Sequence, residues 1–136
     1  MAWVVDTCVV IDVLDGDPQF GPTSAACLQK LLPSGLTLCP VTMVELAAAF
    51  DGDLVEQKHF LDQAGIRHTD DWNPADTERA HAAWATYVRV RRAGSAVKRP
   101  IADVLIGAFA CRFDGLVTRN PDDFKRWFPK LKIRTP

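Results

Sequence analysis

The chain has 136 residues, of which 48% are hydrophobic and 24% are charged, and its formal net charge is −1. This length suits one domain, residues 1–136, that can bury a core without disulfide or metal staples. The hydrophobic fraction excludes a disordered chain. The longest run without a charged residue, Leu31–Val44, contains two prolines and a glycine, and it is shorter than the about 20 apolar residues of a membrane span. Because no basic segment opens the chain, we expect a cytoplasmic protein without a signal peptide.

Charge is divided unevenly along the chain. Residues 1–78 carry 13 acidic and 3 basic side chains, whereas residues 79–136 carry 4 acidic and 13 basic ones. A basic half of this kind indicates a nucleic-acid or acidic-protein partner. The alternative is that the two halves neutralise each other in the folded protein.

Cysteine and histidine spacing argues against a zinc site. The chain has four cysteines and three histidines, and neither set shows the C-x-x-C or H-x₃-H spacings of zinc ligands. We therefore predict that all four cysteines, Cys8, Cys27, Cys39 and Cys111, act as small buried hydrophobic residues.

Short apolar segments alternate with helical ones along the whole chain. In chain order the predicted elements are a strand at 3–6, helices at 7–14 and 23–32, a strand at 36–39, helices at 41–50 and 53–64, a strand at 66–69, helices at 74–94 and 100–113, a strand at 115–118, a short helix capped by Asn120, and an edge strand at 131–134. This alternation predicts an α/β domain with a mainly parallel sheet. Ligands of such sheets bind at the carboxyl ends of the strands.

Three acidic residues stand alone in apolar segments. Asp6 is the only charged residue of segment 1–11, Glu45 of segment 31–50, and Asp103 of segment 100–111. A buried carboxylate requires a basic partner, donated hydrogen bonds or a cation. No lysine or histidine lies in these segments, so Mg²⁺ or Mn²⁺ bound at the strand ends is the simplest way to stabilise the three acids.

Each acid also has an ordinary structural interpretation. Asp6 can cap the following helix, Glu45 can face solvent, and Asp103 lies at a helix N-terminus that favours an anion. Asp122 and Asp123 follow a capping asparagine and a proline, which is typical of a helix start. Asp12 is interpreted as a surface residue of the first helix.

Four segments together resemble a known protein family. They are VVDTCVVID at 4–12, VEL at 44–46, IADVLIGA at 101–108 and LVTRNPDDF at 116–124. The set resembles the PIN-domain ribonucleases, and most closely the VapC-type toxins of bacterial toxin–antitoxin pairs. The resemblance spans residues 4–128. It implies a three-layer α/β/α sandwich and a metal-dependent endoribonuclease.

The resemblance also implies roles for individual residues. Carried over position by position, the catalytic and metal-binding acids are Asp6, Glu45, Asp103 and Asp123, with supporting polar residues Thr7, Thr118 and Asn120. Asp123 is preferred to Asp122 because it directly precedes the phenylalanine of the motif. Cys8 departs from the family, which commonly has a small hydroxyl residue there. The family further implies a Mg²⁺ or Mn²⁺ cofactor of one or two ions, an RNA substrate, a cognate antitoxin and a homodimer.

The basic half supplies candidates for RNA contacts. The predicted phosphate-binding residues are Arg91, Arg92, Lys98, Arg99 and Arg119. Two other functions remain open. One is a catalytically inert PIN-like module that binds RNA or a protein. The other is a Mg²⁺-dependent phosphatase of the haloacid-dehalogenase type, which requires a second acid where this chain has Cys8.

Overall fold

The computed structural model describes residues 1–92 and 100–136. In the described part, five strands form one sheet in the order β3-β2-β1-β4-β5, and every neighbouring pair is parallel. The strands are β1 (Trp3–Val5), β2 (Leu36–Thr37), β3 (Ile66–Arg67), β4 (Gly115–Val117) and β5 (Ile133–Arg134). The predicted parallel sheet and its edge strand near the end of the chain are therefore confirmed.

Seven α-helices surround this sheet in the described residues. They are α1 (Thr7–Leu14), α2 (Gly21–Leu31), α3 (Pro40–Glu45), α4 (Leu54–Gln63), α5 (Pro74–Arg92), α6 (Ile101–Ala110) and α7 (Asp122–Lys125). Short 3₁₀ turns follow at Leu32–Ser34 and Ala48–Phe50. No described helix combines the length and the apolar character that crossing a membrane requires.

The helix predicted at 41–50 is interrupted in the structure. Helix α3 ends at Glu45, and Asp51 adopts a left-handed conformation with φ 50° after the 3₁₀ turn. The N–H of Gly52 donates to the carbonyl of Ala47 (2.8 Å), which closes this end of the segment. The interruption places Leu46 and Phe50 in the core while Glu45 stays exposed.

Side chains of the central strands alternate between two apolar layers. Val5 of β1 and Val117 of β4 lie in a cluster with residues of α1, α2 and α4. Their neighbours Val4 and Leu116 lie in a cluster with residues of α6 on the opposite face. This alternation is the two-residue period of a strand. Because the two faces are covered by different helices, the chain forms an α/β/α sandwich.

The outer helix α5 is tied to the end of α6 by a buried carboxylate. Asp76 is fully buried and accepts hydrogen bonds from Nη1 of Arg79 (2.9 Å) and from Nε and Nη2 of Arg112 (3.1 and 2.8 Å). The Arg112 guanidinium also lies 5.0 Å from the ring centroid of Phe109. The sequence predicted the helix that contains Asp76 but not this ion-pair cluster, because Arg112 is 36 residues away.

Candidate active site at the carboxyl edge of the sheet

Two neighbouring strands place Asp6 and Thr118 side by side. Val5 and Val117, the last residues of β1 and β4, are paired in register. The next residues, Asp6 and Thr118, are both buried, and the Thr118 hydroxyl donates to Oδ2 of Asp6 (2.7 Å). Asp6 thus lies at the carboxyl edge of the sheet, where ligands of parallel sheets bind.

The Asp6 carboxylate is held by hydrogen bonds rather than by a basic side chain. Its Oδ1 accepts from the backbone N–H of Thr7 (2.8 Å), which caps α1, and the Cys8 thiol lies 3.4 Å from its Oδ2. Burial raises the pKa of Asp6, and the charge of Glu45 raises it further, whereas the three hydrogen bonds oppose the shift. No lysine, arginine or histidine of residues 1–92 and 100–136 forms an ion pair with Asp6.

Thr7 connects Asp6 with Glu45. While its backbone bonds to Asp6, its hydroxyl donates to Oε1 of Glu45 (2.6 Å) and lies 3.1 Å from the hydroxyl of Thr42. Glu45 is the last residue of α3, and its side chain is exposed. One threonine therefore holds two carboxylates that are 39 positions apart in the chain at the same edge.

Asp103 and Asp123 lie on elements that reach this edge. Helix α6 leads directly into β4, so its first turn, with the half-buried Asp103, lies at the carboxyl end of the sheet. Helix α7 follows β4 and carries Asp122 and Asp123, both exposed. In the part of the chain that the structure describes, no three acidic, cysteine or histidine side chains lie close enough to form a metal-binding group. The structure thus brings Asp6 and Glu45 together, without the other two predicted acids.

Asn120 contacts the site instead of capping a helix. The N-cap position of α7 is Pro121, without a side-chain cap. The Asn120 backbone N–H donates to the Thr118 hydroxyl oxygen (3.1 Å), and its Nδ2 lies 3.9 Å from the Cys8 sulfur. The prediction that Asn120 caps the helix was therefore wrong, because its side chain lies against Cys8 and makes no cap to the first N–H groups of α7.

Cys8 is half-buried and makes polar contacts, so the interpretation of this residue as a buried hydrophobic side chain was wrong. Burial and the charge of Asp6 raise the pKa of the Cys8 thiol to about 11. The thiol therefore keeps its proton at neutral pH and can donate a hydrogen bond to Asp6, as a hydroxyl group would. Cys27 and Cys111 are also only half-buried, whereas Cys39 is buried as predicted.

A buried ion pair joins Asp12 to Arg119, and the sequence alone did not reveal it. Asp12, predicted to be a surface residue, is only 4% exposed. Its Oδ2 and Oδ1 accept from Nε and Nη2 of Arg119 (2.6 and 3.1 Å), and its Oδ2 also accepts from the Ser24 hydroxyl (3.2 Å). The isolation of Asp12 in an apolar helix was a signal for this burial. Arg119, predicted to contact RNA, thus directs its guanidinium into the protein.

The other predicted RNA contacts lie at the end of α5 or beyond it. Arg91 and Arg92 are exposed in the last turn of α5. Lys98 and Arg99 lie outside the described residues.

Oxygen atoms that can bind a cation dominate this edge of the sheet. Asp6 and Glu45 supply carboxylate oxygens, and threonine hydroxyls surround them. A buried carboxylate without a basic partner in the described residues is suited to a cation, and oxygen ligands are those that Mg²⁺ and Mn²⁺ prefer. The residues present therefore fit a hard divalent cation better than zinc.

Comparison with known proteins supports the fold. No protein-family profile matches the chain, and no curated protein matches it. The structure is similar to a chain in the crystal structure of VapBC2 from Rickettsia felis bound to a DNA fragment from its promoter. The TM-score is 0.69, the match covers 99% of this chain and 98% of that chain, and 18% of the residues are identical. The similarity confirms the fold that the sequence resemblance implied, a PIN-like α/β/α sandwich.

Proposed function

We propose that this protein is an endoribonuclease that hydrolyses RNA phosphodiester bonds with Mg²⁺ or Mn²⁺, and that it is the toxin of a type II toxin–antitoxin pair in the cytoplasm. The observation that carries the proposal is Asp6. This buried carboxylate is oriented by Thr7 and Thr118 and has no basic partner in the described residues. The resemblance of four sequence segments to VapC-type toxins and the fold shared with VapBC2 support the same function.

In this mechanism Asp6 and Glu45 would hold the cation, and Asp103 and Asp123, on elements that reach the same edge, would contact it through water. A divalent cation at such a site lowers the pKa of water and stabilises charge on the phosphate. The Thr118 hydroxyl and the Thr7 backbone fix the Asp6 carboxylate, and the Thr7 hydroxyl fixes Glu45. Carboxylates that are already oriented lose little conformational freedom when they bind a ligand.

The direct test is cleavage of a structured RNA by the purified protein. After removal of metal with EDTA we expect no cleavage, and we expect cleavage to return when Mg²⁺ or Mn²⁺ is added. Titration of the metal would distinguish one ion from two. RNA binding without cleavage under any metal would support the inert PIN-like module. Release of phosphate from a phosphomonoester, with intact RNA, would support the phosphatase.

Thr7 is expected to set the efficiency of cleavage through Glu45. We expect Thr7→Val to lower kcat roughly five- to tenfold, because it removes the hydrogen bond to Glu45 but keeps the backbone bond to Asp6. Thr7→Ser keeps the hydroxyl and is expected to cleave at nearly the wild-type rate. The measurement is single-turnover cleavage at saturating metal, and equal rates for the two variants would contradict the role of the hydroxyl.

The exposed arginines of α5 are proposed to bind RNA phosphates together with Lys98 and Arg99. In Arg91→Gln/Arg92→Gln we expect weaker binding of single-stranded RNA and a smaller salt dependence. The slope of log K against log salt should fall by about 0.7 for each phosphate that the variant no longer neutralises. Lys58→Gln, which replaces an exposed lysine of α4, is the matched control. An unchanged slope in the double variant would place the RNA elsewhere.

We further propose a protein antitoxin and a homodimer as partners. The fold shared with VapBC2 supports the antitoxin. The test is co-purification of the chain with the product of a small reading frame beside its gene, followed by sizing of the free chain and of the complex.

A further inference from the structure

The segment Thr118–Asn120 is attached to α1 at two points. The backbone N–H of Arg119 lies against the Cys8 thiol, and the Arg119 guanidinium binds Asp12. Cys8 and Asp12 are four residues apart and therefore lie on the same face of the helix. Arg119 thus spans one turn of α1, with its backbone at one end and its side chain at the other.

The Asp12–Arg119 ion pair has the geometry of a specific structural contact. Both guanidinium–carboxylate bonds are formed, at 2.6 and 3.1 Å, and the Arg119 guanidinium lies 4.2 Å from the centroid of the Phe20 ring. The Ser24 hydroxyl, fully buried, donates to the same carboxylate. Ordinary surface ion pairs lack such support and contribute little.

The residues on either side of Arg119 form a hydrogen-bonded chain that ends at Asp6. The Asn120 N–H donates to the Thr118 hydroxyl oxygen (3.1 Å), and this hydroxyl donates to Asp6 (2.7 Å). The direction in which the Thr118 hydroxyl points therefore depends on the path of the backbone through Arg119. A contact that fixes this path also fixes the orientation of the Asp6 carboxylate.

We propose that Asp12 and Arg119 are positioning residues of the candidate active site. Their ion pair holds segment 118–120 against α1, and this arrangement aims the Thr118 hydroxyl at Asp6. The expected effect on RNA cleavage rests on the proposed function, whereas the attachment of segment 118–120 to α1 does not. This role also replaces the predicted role of Arg119 as an RNA contact.

The test compares Arg119→Gln with Asp12→Leu/Arg119→Met. The single variant leaves a buried carboxylate without its partner. The double variant removes both charges, so it is expected to fold, but it lacks the directional bonds. Lys125→Gln, which removes an exposed charge on α7, is the matched control. The Leu116 amide, bonded to the Lys132 carbonyl between β4 and β5, reports whether the fold is intact.

The first measurement is amide hydrogen exchange. In both Arg119 variants we expect the Asn120 amide to exchange at least about tenfold faster than in the wild type, while the Leu116 amide stays protected. The second measurement is RNA cleavage. We expect kcat to fall about tenfold or more, with KM within twofold of the wild type, because a misoriented Asp6 carboxylate slows the chemical step. Lys125→Gln should change neither.

Each contrary outcome is informative. If the double variant folds with wild-type Asn120 exchange and wild-type kcat, the ion pair does not position the site. If KM rises and kcat does not change, Arg119 contacts RNA and the proposal is wrong. If the wild type cleaves no RNA, the proposed function fails. The exchange of Asn120 then still decides whether the pair holds the segment.

Discussion

Asp6→Asn is expected to lower metal-dependent RNA cleavage by at least about 100-fold without lowering thermal stability. The loss of activity follows because an amide carries no charge to hold a cation. Stability is expected to be equal or higher because burial raises the pKa of Asp6, which means that the folded protein stabilises the ionised carboxylate less well than water does.

The pH dependence of stability gives this prediction a defined sign. Because the pKa of Asp6 is raised in the folded state, its contribution to stability is greatest below the ordinary value of 3.8 and is lost as pH rises through the raised pKa. We therefore expect Asp6→Asn to become more stable relative to the wild type as pH rises over this interval. Denaturant unfolding from about pH 3 to pH 7 measures it.

Metal binding provides the control for the same variant. Mn²⁺ should stabilise the wild type by about 2.7 kcal/mol at a concentration 100-fold above Kd, and this stabilisation should raise its Tm. The Tm of Asp6→Asn should not rise. Asp15→Asn, which replaces an exposed acid at the end of α1, should behave like the wild type. Full cleavage activity in Asp6→Asn would remove the basis of the proposed function.

Asp76→Ala is expected to have the largest effect on stability, a loss of about 2–3 kcal/mol, because Arg79 and Arg112 lose their buried acceptor but keep partial contact with solvent. Burial raises the pKa of Asp76, but the bonds from Arg112, Asn73 and Arg79 outweigh it, so the net pKa is lowered. The stabilisation is therefore present above pH 3.8 and is lost as pH falls through the lowered pKa. Urea unfolding at about pH 7 and at about pH 3 measures both effects.

Matched variants separate this ion-pair cluster from general sensitivity to substitution. Asp71→Ala, which removes an exposed acid nearby, is expected to change stability by less than about 0.5 kcal/mol. Arg112→Gln should cost more than Arg79→Gln, because Arg112 makes two bonds to Asp76 and Arg79 makes one. At low temperature, folded Asp76→Ala should keep the cleavage activity of the wild type. A loss of stability below about 1 kcal/mol would show that solvent replaces the arginine contacts.

The order of the elements could be predicted because each one is encoded locally. Strand β1 is a short β-branched run, and the helix at Pro74 begins with a reciprocal cap, in which Asn73 and Asp76 bond to each other's backbone N–H. The isolation of Asp6 in an apolar segment correctly indicated a buried carboxylate. These features depend on a few neighbouring residues, which a single sequence displays.

The surroundings of the other acids depend on contacts far along the chain. Glu45 and Asp103 also stand in apolar segments, but Glu45 is exposed to solvent and Asp103 is half-buried. Asp12 is buried because Arg119, 107 residues later, neutralises it. A run of apolar residues on a helix covers more than one face, so isolation alone does not determine which charged residue is buried.

The pairing of β1 with β4 brings the beginning of the chain against its last fifth. Asp6 and Thr118 are 112 residues apart, yet one hydrogen bond joins them. During synthesis on a ribosome, β1 and α1 emerge long before β4, so a growing chain holds Asp6 without its threonine partner. The proposed nuclease would therefore lack its complete site until Thr118 has been synthesised, so a fragment that stops before β4 should not cleave RNA.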